Sequence, residues 1–400
     1  MTKSEKARAE LVAQLARKQF KTQKSWHRRL HQNPELSFEE HATTRFLRNE
    51  IRKLGLKILP LSMKTGVLAE LRGKKPGPTV AVRSDIDALP IREQTDLPFK
   101  SKNIGTMHAC GHDIHMATVL GTAAVLSGVR DRLAGSVRFI FQPGEEKPPG
   151  GARPMIENGA LKGVSAIFGL HVDPHLSVGK ISLRDGVTMA SVFDFDLIIR
   201  GIGGHAARPH TAVDAIATAA EVVDSLQKVV TREIDPIAPV VITFGRIEGG
   251  TARNVIADEV HLVGTARTLS DKLYRRIPAK IKRTVAGVCR ARGAKFELKP
   301  IASYPVLKNT SRINKLFASN YCELFGRGKV EETEPVLGGE DFACYLQQVP
   351  GAMFRLGVMN RKLKADQPWH SPRFMADEKA IFYGTALLAL SALEFSDTIG

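Results

Sequence analysis

A chain of 400 residues, 43% hydrophobic and 25% charged, is long enough to bury two cores and has the balance of an ordinary globular protein. Its formal net charge is +17, yet the basic residues fall as singles and pairs such as Arg28-Arg29 and Arg275-Arg276, without the tract, finger spacing or aromatic-rich pattern of a nucleic-acid binder. No apolar run reaches the roughly 18 residues of a membrane span or forms a signal peptide, and the four scattered cysteines make no disulfide framework, so the expectation is a cytoplasmic protein with neither membrane nor nucleic acid as partner.

Charged and apolar types alternate at helical spacing over residues 1–26. Short apolar runs rich in β-branched residues at 66–71, 78–82, 136–141 and 165–170 predict strands, and helical patterns at 42–54 and 112–127 lie between them. That alternation argues a parallel or mixed α/β sheet. From Ser191 the order becomes strand 192–200, helix 211–231, strand 239–247, strand 259–267, helix 271–292, strand 294–300, the β-α-β-β-α-β pattern of a ferredoxin-like domain. Helical and strand patterns resume at 310–325, 352–357 and 376–394. The expected organisation is a first domain over 1–186 and 298–400 interrupted by an inserted domain over 187–297.

Eight of the twelve histidines cluster in four short segments beside glycine, cysteine or acidic residues. Met107-His108-Ala109-Cys110-Gly111-His112 sets a thiol and an imidazole two residues apart at a glycine turn, where both can face one ion; alone, the pair would suit core packing equally well. Phe139-Ile140-Phe141-Gln142-Pro143-Gly144-Glu145-Glu146 runs an apolar strand into two adjacent carboxylates, whose side chains diverge, so one can bind a metal while its neighbour carries protons. His171 closes another apolar strand, at the sheet end where α/β folds bind ligands, and His370 follows Trp369 near a helix start. Asp85 and Asp87 end a further strand on one side of the pleat, a spacing suited to holding a metal-bound imidazole in one tautomer. Three nitrogens, a thiolate and a carboxylate are too few for two closed structural sites. They suit two neighbouring ions and an activated water, a hydrolytic arrangement.

In this order, and over nearly the whole chain from His27 to Leu390, the motifs resemble the amidohydrolase branch of the dinuclear aminoacylase and carboxypeptidase family, which includes hippurate hydrolases and N-acyl amino acid amidohydrolases. The resemblance is carried by His27-Arg28-Arg29-Leu30-His31-Gln32-Asn33-Pro34-Glu35-Leu36-Ser37, the Cys-Gly-His segment, Gln142 to Glu146, Gly203-Gly204-His205-Ala206-Ala207-Arg208-Pro209 and Gly338-Gly339-Glu340-Asp341-Phe342. It implies an α/β, mixed-sheet, zinc-peptidase-like catalytic domain with a ferredoxin-like lid and dimerisation domain, and hence a homodimer or higher homo-oligomer. It also implies two divalent ions per subunit, Mn or Zn with Co or Ni as substitutes in vitro, held by Cys110, His112, Glu146, His171 and His370, with Glu145 as general base. Asp87 would orient a ligand, His205 would donate to the oxyanion, and Arg253 with Asn254 would hold the substrate carboxylate.

Two positions depart from the family pattern. Asp85-Ile86-Asp87 stands where the wider family has His-x-Asp, so His112 is expected to supply the missing ligand, and Ala257 stands where relatives carry proline. No Gly-x-Ser-x-Gly elbow appears, which disfavours a serine hydrolase. The expected activity is hydrolysis of N-acyl amino acids to a carboxylic acid and an amino acid. A dipeptidase, a deacetylase of a specialised amide, and a binding protein on a retained hydrolase fold are the alternatives.

Overall fold

The computed structural model describes residues 3–397, which divide into two compact units. Among the described residues the first comprises 3–186, 308–334 and 344–397, and the second 187–307 and 335–343.

The first unit is built on α1 (Lys3–Gln32), α2 (His41–Lys53), β1 (Val67–Arg72), β2 (Lys75–Asp85), α3 (His112–Gly128), β3 (Ala134–Gln142) and β4 (Val164–Ser177). Its sheet has eight strands; β1, β3, β2 and β4 are consecutive neighbours within it. β2 runs parallel to both β3 and β4, whereas β1 runs antiparallel to β3, so the sheet is mixed. The register sets Asp85 beside Gln142 and Val82 beside Phe168. The C-terminal ends of β2 and β3, and the middle of the longer β4, therefore open at the same edge.

α3 is buried on every side from His112 to Leu126, which makes it a core helix rather than an amphipathic surface one. On α1, Ala9, Val12, Ala16, Gln23, Trp26, His27, Leu30 and His31 are buried, positions that fall on one side of the helix as expected of one packed on a single face. α1 and α3 pack against each other. Phe139, Phe141 and Phe168 are fully buried on β3 and β4, each contributing about 1.5–3 kcal/mol from removal of its ring from water.

The second unit begins with β5 (Ser191–Arg200), α4 (Ala215–Glu233), β6 (Val240–Gly249), β7 (Glu259–Thr268), α5 (Asp271–Arg292) and β8 (Lys295–Tyr304). Its four strands lie in the order β6, β7, β5, β8, all antiparallel. Phe195, Leu197 and Ile199 alternate along β5 and pack in one core with Val222, Leu226, Ile281 and Val285 of the two helices. Asp214 caps α4 by accepting from the amides of Ile216 and Ala217, so the helix starts at Ala215 rather than at 211. β8 pairs with β5 as far as Tyr304, and this carries the unit to Leu307, beyond position 297, because the last strand of the sheet cannot be cut without exposing its partner. The first unit then resumes with α6 (Ser311–Phe325), β9 (Gly351–Met359), parallel to β4, and α7 (Lys379–Asp397), which packs on α1 and α3. No described helix is long and apolar enough to cross a membrane.

Candidate active site

At the open edge of the first sheet, the thiol and imidazoles of Cys110, His112 and His171 have ligand-type atoms within 4.8 Å of one another, and the same holds for Cys110, Glu146 and His370 and for His112, Glu145 and Glu146. Those overlapping sets bring the five expected ligands and the expected base together from four separate segments. Gly111, between Cys110 and His112, has φ +83°, and a Cβ there would lie 2.5 Å from Val172 Cγ2. Only glycine makes this turn without strain, so the turn aims both flanking side chains into the site. Gly144 is held likewise, at φ +65° with its Cα against the Phe38 ring, and its amide donates to Glu40 Oε1 at 2.9 Å.

Two imidazoles are oriented by carbonyls. His112 Nδ1 lies 2.9 Å from the Asp87 carbonyl oxygen, and His171 Nδ1 lies 2.8 Å from that of Val172. A carbonyl only accepts, so both rings carry their proton on Nδ1 and present an Nε2 lone pair. His171 Nε2 is 3.5 Å from Cys110 Sγ; His112 Nε2 is 3.8 Å from Glu146 Oε1; and His370 Nε2 is 3.4 Å from the same oxygen. His370 has φ +62°, an uncommon conformation outside glycine that is concentrated at functional sites. Asp87 Oδ2 accepts from Ser37 Oγ at 2.7 Å and from the Glu146 amide at 2.9 Å, and its Oδ1 lies 3.3 Å from His112 Nδ1.

The electrostatics call for a cation. Burial alone would lower His112, but Asp85, Asp87 and Glu146 outweigh it and raise the ring to about 10. Burial, reinforced by Glu146, Glu145 and Asp85, pushes the Cys110 thiol well above its usual range. A divalent ion reverses the second effect and displaces the proton in the first. The donor set fits such an ion on independent grounds: His112 Nε2 and Glu146 Oε1 are buried polar atoms without a hydrogen-bond partner among the described residues, a costly state unless something binds them.

The other expected residues lie in the second unit. Gly204–His205 pairs with Val255–Ile256, and the Ala206 amide donates to the Asn254 carbonyl at 3.1 Å, so exposed His205, Arg253 and Asn254 belong to two segments joined in one small antiparallel pairing. His205 Nδ1 accepts from the Ala207 amide at 3.0 Å, which leaves the proton of the neutral ring on Nε2, as a donor.

Sequence reasoning did not assign roles to His115, Arg83 or His31. His115 is wholly buried beside Asp85, at 2.6 Å. His31 bridges Asp113 at 2.6 Å and Glu93 at 3.2 Å, and His27 bridges Asp113 and Glu378, each at 3.1 Å. The spacing of His27 and His31, four residues apart on one helix face, was the available signal.

The family model for Peptidase family M20/M25/M40 matches residues 81–394. N-acetylcysteine deacetylase of Bacillus subtilis is 41% identical over 93% of this chain and 96% of its own length. N-acyl-L-amino acid amidohydrolase of Geobacillus stearothermophilus is 44% identical over 69% and 74% respectively. Among solved structures, the B. subtilis YXEP protein, a dinuclear metal-binding peptidase of family M20, superposes with a TM-score of 0.82 at 38% identity, covering 95% of this chain and 99% of that one. With a site of converging thiol, imidazole and carboxylate groups on that fold, the chain belongs to peptidase family M20/M25/M40.

Proposed function

We propose that this chain hydrolyses the amide bond of N-acyl amino acids, using two divalent ions, Mn or Zn, held by Cys110, His112, Glu146, His171 and His370. The observation that carries the reading is the pair of buried ligand-type atoms, His112 Nε2 and Glu146 Oε1, which face each other at 3.8 Å and have no hydrogen-bond partner among the described residues. Relatives named as an N-acetylcysteine deacetylase and an N-acyl-L-amino acid amidohydrolase supply the substrate class.

Bound there, two such ions would supply Lewis acidity for a scissile carbonyl and for a water. Glu145 sits within 4.8 Å of His112 and Glu146 at their ligand atoms, close enough to serve the same water. Its carboxylate takes the proton from the attacking water and hands it to the leaving amine as the C–N bond breaks. Asp87 acts through His112 and the Glu146 amide, fixing both. His205, with its Nε2 proton available, stabilises the oxyanion of the tetrahedral intermediate. Arg253 and Asn254 offer a charged fork and an amide to the substrate carboxylate. The second unit is the proposed lid and dimerisation surface.

Purified protein loaded with Mn or Zn is assayed against N-acetyl, N-benzoyl and indole-acetyl amino acids for release of free amino acid, and each active substrate is compared with its C-terminal amide. The amide should turn over more slowly as well as bind more weakly, because closure on the carboxylate precedes attack. Asn254→Ala should narrow that preference. Equal rates on acid and amide would remove the carboxylate anchor.

A further inference from the structure

Asp85, His112 and His115 also have ligand-type atoms within 4.8 Å of one another, and His115 lies against two expected ligands, stacked on His112 with ring centroids 5.4 Å apart and edge-on to His171 at 4.9 Å. Its hydrogen bonds nevertheless give it a different task. The Val172 amide donates to His115 Nε2 at 2.9 Å. An amide N–H can only donate, so Nε2 is bare and already engaged, and the ring proton is on Nδ1, which donates to Asp85 Oδ1 at 2.6 Å. Asp85 Oδ2 accepts from Arg83 Nη1 at 2.7 Å. Arg83 Nε donates to Gln142 Oε1 at 3.0 Å, and Tyr345 Oη donates to that same oxygen at 3.0 Å. Every member of this chain is buried.

The reason for the arrangement is in the sheet. Pairing of β2 with β4 ends at Val82 beside Phe168, and past that point the Val172 amide is met by an imidazole in place of a strand carbonyl. The carbonyl of the same residue accepts from His171 Nδ1 at 2.8 Å and from Trp369 Nε1 at 3.1 Å. Val172 is thus clamped at both backbone groups immediately after His171.

We infer that His115 is a positioning residue and not a metal ligand: held in its Nδ1-protonated form by Asp85 and Arg83, it grips the Val172 amide and so fixes the direction of His171 Nε2. This rests on the reading of His171 as a ligand. Two substitutions separate the contacts, because glutamine places an acceptor oxygen about where imidazole has Nε2, and asparagine a donor nitrogen where it has Nδ1. His115→Gln keeps a partner for Val172, and His115→Asn keeps one only for Asp85.

The test measures metal affinity of the stripped protein by competition with a chromophoric chelator, with thermal melting of each stripped variant as a check on folding. His115→Asn should weaken binding about ten- to a hundredfold, the usual effect of losing a group that orients a ligand, and His115→Gln should stay close to wild type. Equal losses in the two variants, or none in either, would overturn the inference. Nitrogen-15 histidine spectra of wild type loaded with cadmium-113 give a second answer that needs no variant. His115 should show a protonated Nδ1, a bare Nε2 and no coupling to cadmium, while His171 is coupled. Coupling at His115 would make it a ligand and end the proposal. Failure of wild type to take up cadmium at all would instead remove the metal reading on which it rests.

Discussion

Glu145 and Glu146 are adjacent in the chain but are held differently. The Glu146 amide is tied to Asp87 Oδ2, and its Oε1 is buried without a hydrogen-bond partner 3.4 Å from His370 Nε2 and 3.8 Å from His112 Nε2. Removing the negative charge there takes away the one carboxylate oxygen among the described residues that faces both imidazoles. Glu145→Gln should therefore retain metal and lose at least about a hundredfold in turnover, the scale of a positioned proton carrier, whereas Glu146→Gln should lose metal with its activity. Elemental analysis of both purified variants decides this, and equal metal content would make the division of labour wrong. The candidate ligands were legible as residue types at strand ends and glycine turns. His115 was not, although it lies in the same quoted segment as His112. Which of two imidazoles three residues apart is free to bind depends on what meets each ring nitrogen, and for His115 that partner is the Val172 amide, 57 residues away. Asp85 and Asp87 read alike from their spacing; the resemblance gave a role to Asp87 alone, and in the structure one faces His115 and Arg83, the other His112 and Ser37.

Most elements of the fold could be read from apolar patterning, because the short apolar runs at 78–82, 136–141 and 165–170 lie within β2, β3 and β4. The ends were less legible where side chains decide them, as at the Asp214 cap of α4, and where a strand continues through polar residues, as β8 does to Tyr304. The role of α1 was also hidden, since nothing in its alternating charges shows that His27 and His31 face carboxylates from three distant segments. Burial alone would lower His31, but hydrogen bonds and charge from Asp113 and Glu93 raise it from 6.5 to about 10. A folded pKa above the unfolded one contributes stability that is complete below pH 6.5 and is lost as the pH rises through about 10. Glu378 acts in the opposite sense: burial would raise it, but His27 and Arg28 lower it to about 2, so its contribution is lost as the pH falls below 4.5. Metal-loaded protein should therefore melt at lower temperature as the pH is taken from 6.5 to 10, and His31→Gln should flatten that slope. Parallel slopes in the two proteins would show that the cluster does not hold α1 against α3.

For the whole molecule, the division of labour proposed is chemistry in the first unit and carboxylate recognition in the second. The five candidate ligands and Glu145 lie in the first unit, whereas His205, Arg253 and Asn254 lie on two paired, exposed segments of the second. The net charge of +17 would favour encounter with an anionic substrate. The central claim, a metal-dependent amide hydrolase, is tested most directly by removing the metal. Chelator-treated protein, confirmed metal-free by elemental analysis, should release no amino acid from an N-acyl amino acid that the loaded protein cleaves, and Mn, Zn or Co should restore release as about two equivalents per chain are taken up. Full activity in the metal-free protein would contradict the account.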